Sequence, residues 1–165
     1  MVDISRSNEV VHPADDPQVG NLKTPINSSA LTKAFINNLP AYRSGLSPQR
    51  RGLEVGMAHG YLIYGPFALL GPLRDSDVPA IAGLLAAAGL VVILTACLSL
   101  YSGAGVKKPI ATLTTPNPPE ALGTEEGWSE FAGGFLIGGI GGVTFAFLLV
   151  SNMPLLLNVV SGGHS

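Results

Sequence analysis

Two ionisable side chains, Glu54 and His59, lie inside an otherwise apolar stretch of the string SPQRRGLEVGMAHGY. The cost of placing such groups in lipid makes each of them a functional expectation. On a helix their five-residue separation turns them about 140° apart and about 7.5 Å along the axis, so they do not easily share one small metal ion. Each can instead supply a single axial ligand to a separate metal held in a macrocycle. A neutral imidazole has one free nitrogen lone pair, and a carboxylate oxygen is a hard donor suited to magnesium. The same spacing equally fits an ion pair between Glu54 and Arg50, one helical turn earlier, and a hydrogen-bonded core histidine at position 59. Tyr61, Tyr64 and Phe67 either line a flat ring or serve as interface anchors and bundle core. A second polar cluster, GPLRDSD from Gly71 to Asp77, offers two carboxylates and turn carbonyls to a hard cation such as calcium. Its plainer reading has Asp77 capping the next helix and Asp75 pairing with Arg74. His12 and His164 sit in polar ends and take no role. Nucleophile elbows, phosphate loops and zinc spacings are absent from the sequence.

The elements that must position these groups are set by hydropathy. The chain is 47% hydrophobic and 12% charged, where soluble domains carry about 25% charged residues. Three stretches are long enough to cross a hydrocarbon layer of about 30 Å, which predicts an all-α membrane protein with three transmembrane helices. The organisation reads as a polar N-terminal arm over 1–46, a first span over 47–71, a short loop over 72–77 and a second span over 78–101. A Pro-rich loop over 102–124, a third span over 125–151 and a tail over 152–165 follow. Ser47 with Pro48 starts the first helix, and Thr124 followed by Glu125 and Glu126 starts the third. Gly65-Pro66 predicts a kink in the first. Trp128 falls where an interfacial belt lies. In the arm, Leu31, Phe35, Ile36 and Leu39 predict a short amphipathic piece around 29–38. No cationic region precedes an apolar core at the N-terminus, so no cleaved signal peptide is expected.

Arg43, Arg50 and Arg51 precede the first span, and Lys107 and Lys108 follow the second, against Arg74 alone on the other side. The positive-inside rule then puts the arm and the Pro-rich loop on the cytoplasmic or stromal face and the C-terminus across the membrane. The single cysteine, Cys97, precludes an intrachain disulfide and reads as a packing residue. A net charge of −2 with scattered cations gives no reason to expect nucleic acid.

In FAGGFLIGGIGGVTFAF the residues Gly134, Gly138 and Gly142 fall four apart, and Ala82, Ala86 and Gly83, Ala87 repeat that spacing in the second span. Small residues at this interval allow close helix approach in lipid. The face either packs within the chain's own bundle, meets a second copy or a larger membrane subunit, or admits a flat cofactor.

The strings NLPAYR from Asn38, SPQRRGLEVGMAHGY from Ser47 and GPLRDSD from Gly71, with TPINSS from Thr24 and EGW ending at Trp128, resemble photosystem I reaction-centre subunit XI of cyanobacterial type over about residues 19–150. The resemblance implies a non-catalytic thylakoid subunit that binds antenna chlorophylls and carotenoids such as beta-carotene, with associated lipid, and that joins reaction centres as trimers or tetramers. Its implied partners are the large core subunits, neighbouring small membrane subunits, extrinsic stromal subunits and copies of itself. It further implies Glu54 and His59 as axial ligands of chlorophyll magnesium, and Pro72 (through its carbonyl) with Asp75 as part of a calcium site near the oligomer axis. The long N-terminus, the Pro-rich loop and the tail MPLLLNVVSGGHS depart from that pattern. The competing class is a small subunit of an ion- or proton-translocating complex, since glycine-repeat helices with one membrane carboxylate occur there. Glu54 lies near a helix start, however, and not on the glycine helix.

Overall fold

The computed structural model describes residues 10–14, 18, 20–154 and 157. Most of the expected tail, with His164, lies outside the described residues. A minimal antiparallel ladder pairs β1 (His12–Pro13) with β2 (Leu22–Lys23). Helix α1 (Pro25–Ser28) is closed by a capping box between Thr24 and Asn27, and α2 (Ala30–Asn38) starts at Ser29, whose hydroxyl accepts from the Thr32 amide. Three long helices follow: α3 (Pro48–Leu70), α4 (Pro79–Ser102) and α5 (Glu125–Ser151).

Each long helix starts for a local reason. Ser47 Oγ accepts from the Arg50 amide ahead of α3, and Thr124 Oγ1 accepts from the Gly127 amide ahead of α5. Such caps satisfy amides that the helix itself leaves open. The start of α4 differs from the expected Asp77 cap: Val78 is the N-cap and has no side-chain bond of that kind. Ser76 takes over locally, accepting from the Val78 amide at 3.3 Å while its hydroxyl donates to the Leu73 carbonyl. Pro66 lies inside α3, which continues through it to Leu70.

Helices α4 and α5 are long and apolar enough to cross a membrane, with only 17% and 39% of their most apolar windows buried. A core helix of a soluble protein would be covered on most sides. Here Leu85, Val92, Ile93 and Leu100 of α4 and Ile137, Phe145 and Leu148 of α5 are exposed. Among the described residues two helices, not the expected three, meet that standard by composition. Helix α3 has 23 residues, but Glu54, His59, two tyrosines and Pro66 dilute its apolar run.

The packing order explains the glycines. Side chains added at Gly52, Gly56 and Gly60 of α3 would strike the carbonyl oxygens of Phe131, Phe135 and Gly139 at 2.0, 2.3 and 2.0 Å. Reciprocally, side chains at Gly134, Gly138 and Gly142 of α5 would strike those of Gln49, Leu53 and Met57 at 2.0, 2.0 and 2.2 Å. Both series advance together, so α3 and α5 run parallel and meet backbone to backbone through two interlocked small-residue stripes. Helix α4 runs the other way: a side chain at Gly83 would meet Ala68 Cα at 2.6 Å, and Val91 packs onto Gly139. Of the two stripes expected in α4, Gly83 and Ala87 are buried, whereas Ala82 is half-buried and Ala86 exposed.

Candidate functional site

Glu54 and His59 open onto different grooves on the two flanks of the α3–α5 seam. Glu54, Met57, Ala58 and Tyr61 of α3 with Gly141, Gly142 and Phe145 of α5 line one, of about 410 Å³. His59 and Val55 of α3 with Leu94, Cys97 and Leu98 of α4 and Trp128, Phe131 and Phe135 of α5 line the other, also of about 410 Å³. Both are overwhelmingly apolar, each with one side chain able to ligate a hard or borderline metal. Cys97, expected as a packing residue, is instead exposed on the wall of the second groove.

The exposed His59 ring has one nitrogen already committed. Nδ1 lies 2.8 Å from the Val55 carbonyl oxygen, and a carbonyl only accepts, so Nδ1 carries the proton. In the neutral tautomer this leaves the lone pair on Nε2, the arrangement in which histidine ligates a metal with its other nitrogen hydrogen-bonded. Phe135 stands beside it with ring centroids 5.6 Å apart at 59°.

Glu54 is differently placed. Its Oε2 accepts a hydrogen bond from Arg43 Nη2, and its Oε1 lies 3.6 Å from Arg50 Nε. The Arg50 pair is the one that helical spacing allows. Arg43 is brought in by the turn after α2, where the Tyr42 and Arg43 amides both donate to the Leu39 carbonyl. Arg51 is buried, and its Nη1 donates to the Pro40 carbonyl at 2.9 Å. The NLPAYR and RRGLE strings are thereby tied together, which the sequence alone did not reveal because the partners are eleven residues apart.

Over the same end of the bundle the Pro-rich segment is held down. Trp128 Nε1 donates to the Leu122 carbonyl at 2.6 Å, and Asn37 Nδ2 of α2 donates to the Thr114 carbonyl at 2.8 Å. Thr114 Oγ1 donates to the Asn27 carbonyl at 3.1 Å, and Ser102 Oγ donates to that of Glu125 at 2.7 Å. At the opposite end Arg74 Nε lies 3.4 Å from Asp75 Oδ2, and Asp75 is largely exposed. Among the described residues no three His, Cys, Asp or Glu side chains converge on a metal position. Calcium takes six to eight oxygens, so Pro72 and Asp75 of one chain supply only part of such a shell.

The stripe Gly52, Gly56, Gly60 went unread in the sequence although it repeats the interval seen in α5. It was masked by the ionisable residues in the same string.

The sequence profile of photosystem I reaction centre subunit XI matches residues 9–155. The protein of that name from a Picosynechococcus species is 64% identical over 151 residues, covering 92% of this chain and 99% of the relative. That from Nostoc punctiforme is 62% identical over 153 residues, 92% of this chain and 88% of the relative. That from Mastigocladus laminosus is 58% identical over 158 residues, 95% and 91% respectively. At this identity and coverage the chain belongs to the photosystem I reaction centre subunit XI family, a non-enzymatic subunit of a cyanobacterial thylakoid-membrane complex.

Proposed function

We propose that the chain crosses the thylakoid membrane three times, holds antenna chlorophylls in the two grooves flanking the α3–α5 seam, and joins reaction centres to one another. The observation that carries the pigment reading is His59: an exposed imidazole in an apolar groove, with Nδ1–H spent on the Val55 carbonyl and Nε2 free. A macrocyclic magnesium needs one axial donor, and this ring supplies one without a charge. Glu54 is the second ligand in the proposal, its negative charge balanced by Arg43 and Arg50. Helix α3, about 34 Å long at 1.5 Å per residue, is the remaining span and lies parallel to α5. The five cations near the arm and the Pro-rich loop then face the cytoplasm or stroma and the C-terminus faces the lumen. Carotenoid and lipid cover the exposed apolar faces of α4 and α5. Self-association brings Pro72 and Asp75 of neighbouring copies around calcium, and the remaining surfaces contact the core, small membrane and extrinsic stromal subunits.

The ion- or proton-translocating reading has less to stand on. Helix α4 carries no charged residue, α5 has its three carboxylates, Glu125, Glu126 and Glu130, all in its first six residues, and Glu54 is held by two arginines.

Replacement of His59 by Leu tests the pigment reading. Density maps of the photosystem I complex should lose one macrocycle at the His59 groove while the subunit stays in place. A macrocycle retained there in the variant would overturn the assignment.

A further inference from the structure

The groove of His59 abuts a second cavity of about 330 Å³, lined among others by Tyr42 of the arm, Tyr101 of α4, Lys107 and Leu122 of the loop, and Trp128 and Phe131. Trp128 and Phe131 line both. The chlorophyll macrocycle of the proposed function bears carbonyl groups at its rim, and a carbonyl drawn into an apolar groove needs a donor there. The obvious donors are spent: the Trp128 indole N–H on the Leu122 carbonyl, the His59 Nδ1–H on Val55. The Cys97 thiol is a weak donor.

Tyr101 remains. It follows Leu94, Cys97 and Leu98 at seven, four and three residues, so it continues the face of α4 that lines the His59 groove. Side chains on a helix lean toward its N-terminus, and α4 runs antiparallel to α3. With Gly60 and Val91 both against Gly139, Tyr101 stands about 13 Å nearer the α4 C-terminal end than His59 at 1.5 Å per residue. Its side chain leans toward Leu98 and Cys97 and that of His59 toward Val55, so the two lean toward each other across a gap that a macrocycle's rim would span. The Tyr101 ring is already fixed edge-on against Trp128, with centroids 5.0 Å apart at 82°. Its phenol accepts and donates no hydrogen bond among the described residues. Tyr42 and Lys107 line the adjoining cavity but lie on no helix that walls the His59 groove.

We infer that the Tyr101 hydroxyl donates a hydrogen bond to a rim carbonyl of the macrocycle ligated by His59 and so sets that pigment's absorption apart from its neighbours. The inference rests on the pigment reading of His59. Tyr101→Phe removes the hydroxyl and keeps the ring contact with Trp128. In intact photosystem I at low temperature, the variant-minus-wild-type absorption difference should show one pigment band moved to shorter wavelength, with the pigment complement unchanged. The same substitution placed in the His59→Leu background should give no such difference. A flat difference for Tyr101→Phe, or one that persists without His59, overturns the role of Tyr101. A macrocycle retained in His59→Leu overturns the underlying reading instead, so the two failures are told apart.

Discussion

Replacing Gly138 by Ala places a methyl carbon where the structure already holds the Leu53 carbonyl oxygen, 2.0 Å away. A carbon meets such an oxygen at about 3.3–3.6 Å, so α3 and α5 have to separate by roughly 1.5 Å at this level. A gap of about 0.5–1 Å already forfeits a quarter to a half of the dispersion attraction of the atoms lining it. Overpacking of a well-fitted site typically costs about 1–3 kcal/mol, and backbone facing backbone leaves little room for side-chain relief. The expected loss is thus toward the upper end, about 3 kcal/mol, or roughly a hundredfold in the folding equilibrium. Gly133, the neighbour of Gly134 on the same helix, is the internal control: a side chain there meets nothing within 4 Å, so Gly133→Ala should not lose stability through this seam. Gly56→Ala should match Gly138→Ala, since its methyl would lie 2.3 Å from the Phe135 carbonyl oxygen. The double variant should cost less than the sum, because helices already parted by one methyl admit the second more cheaply. Thermal release of the subunit from purified photosystem I, followed by native gel, reads the series. Retention of Gly138→Ala and Gly56→Ala at the wild-type temperature would refute the close-packed seam.

Arg51→Met removes the one side-chain donor to the Pro40 carbonyl among the described residues. With hydrogen bonds to charged groups worth about 1.5–3 kcal/mol, residues 38–43 should loosen, seen as faster tryptic cleavage after Arg43 in the complex; unchanged cleavage would remove the arm-docking role. Lys108 holds the Glu120 carboxyl below its ordinary value by a hydrogen bond and by charge. With the folded value depressed, the ion pair is fully present above the ordinary carboxylate range and is lost as pH falls through the lowered value. Amide exchange over 120–123, corrected for intrinsic rates, should therefore rise on acidification in the native protein, whereas Glu120→Gln should show the raised level already at neutral pH.

What could be read from the sequence was what adjacent residues decide among themselves. The caps Ser47 and Thr124, the helix before the NLPAYR string, and the apolar lengths of α4 and α5 depend on neighbours within one turn, and the structure has each of them. The small-residue interval in α5 was equally plain, but its partner was not. The interval names a face that wants another backbone, and only packing chooses between α4, α3 and a separate chain. The structure chooses α3 for Gly134, Gly138 and Gly142, and leaves Gly133 and Gly141 with open space in this chain. At Glu54 the Arg50 pair was legible at four residues, whereas Arg43 was not, because the turn after α2 that delivers it has no helical period. The Asp77 cap failed because the helix begins one residue later than expected, at Pro79, which leaves Val78 as the N-cap, its own amide donating to Ser76 Oγ.

The seam also accounts for why both proposed ligands sit on α3. A helix pair that gives up its side chains along one line comes close there and must diverge on either flank, because the next residues around each helix are larger. On one flank Met57, Tyr61 and Phe145 with Gly141 and Gly142 line the Glu54 groove; on the other Val55, Phe131 and Phe135 line the His59 groove together with α4. Both grooves thus share walls with the α3–α5 seam. A change on the seam should disturb both, whereas His59→Leu, which touches no seam contact, should empty one and leave the other intact. The rigidity of that shared wall would also hold the two proposed ligands on one helix at a fixed separation, as the pigment reading requires and as loops at the bundle ends would not.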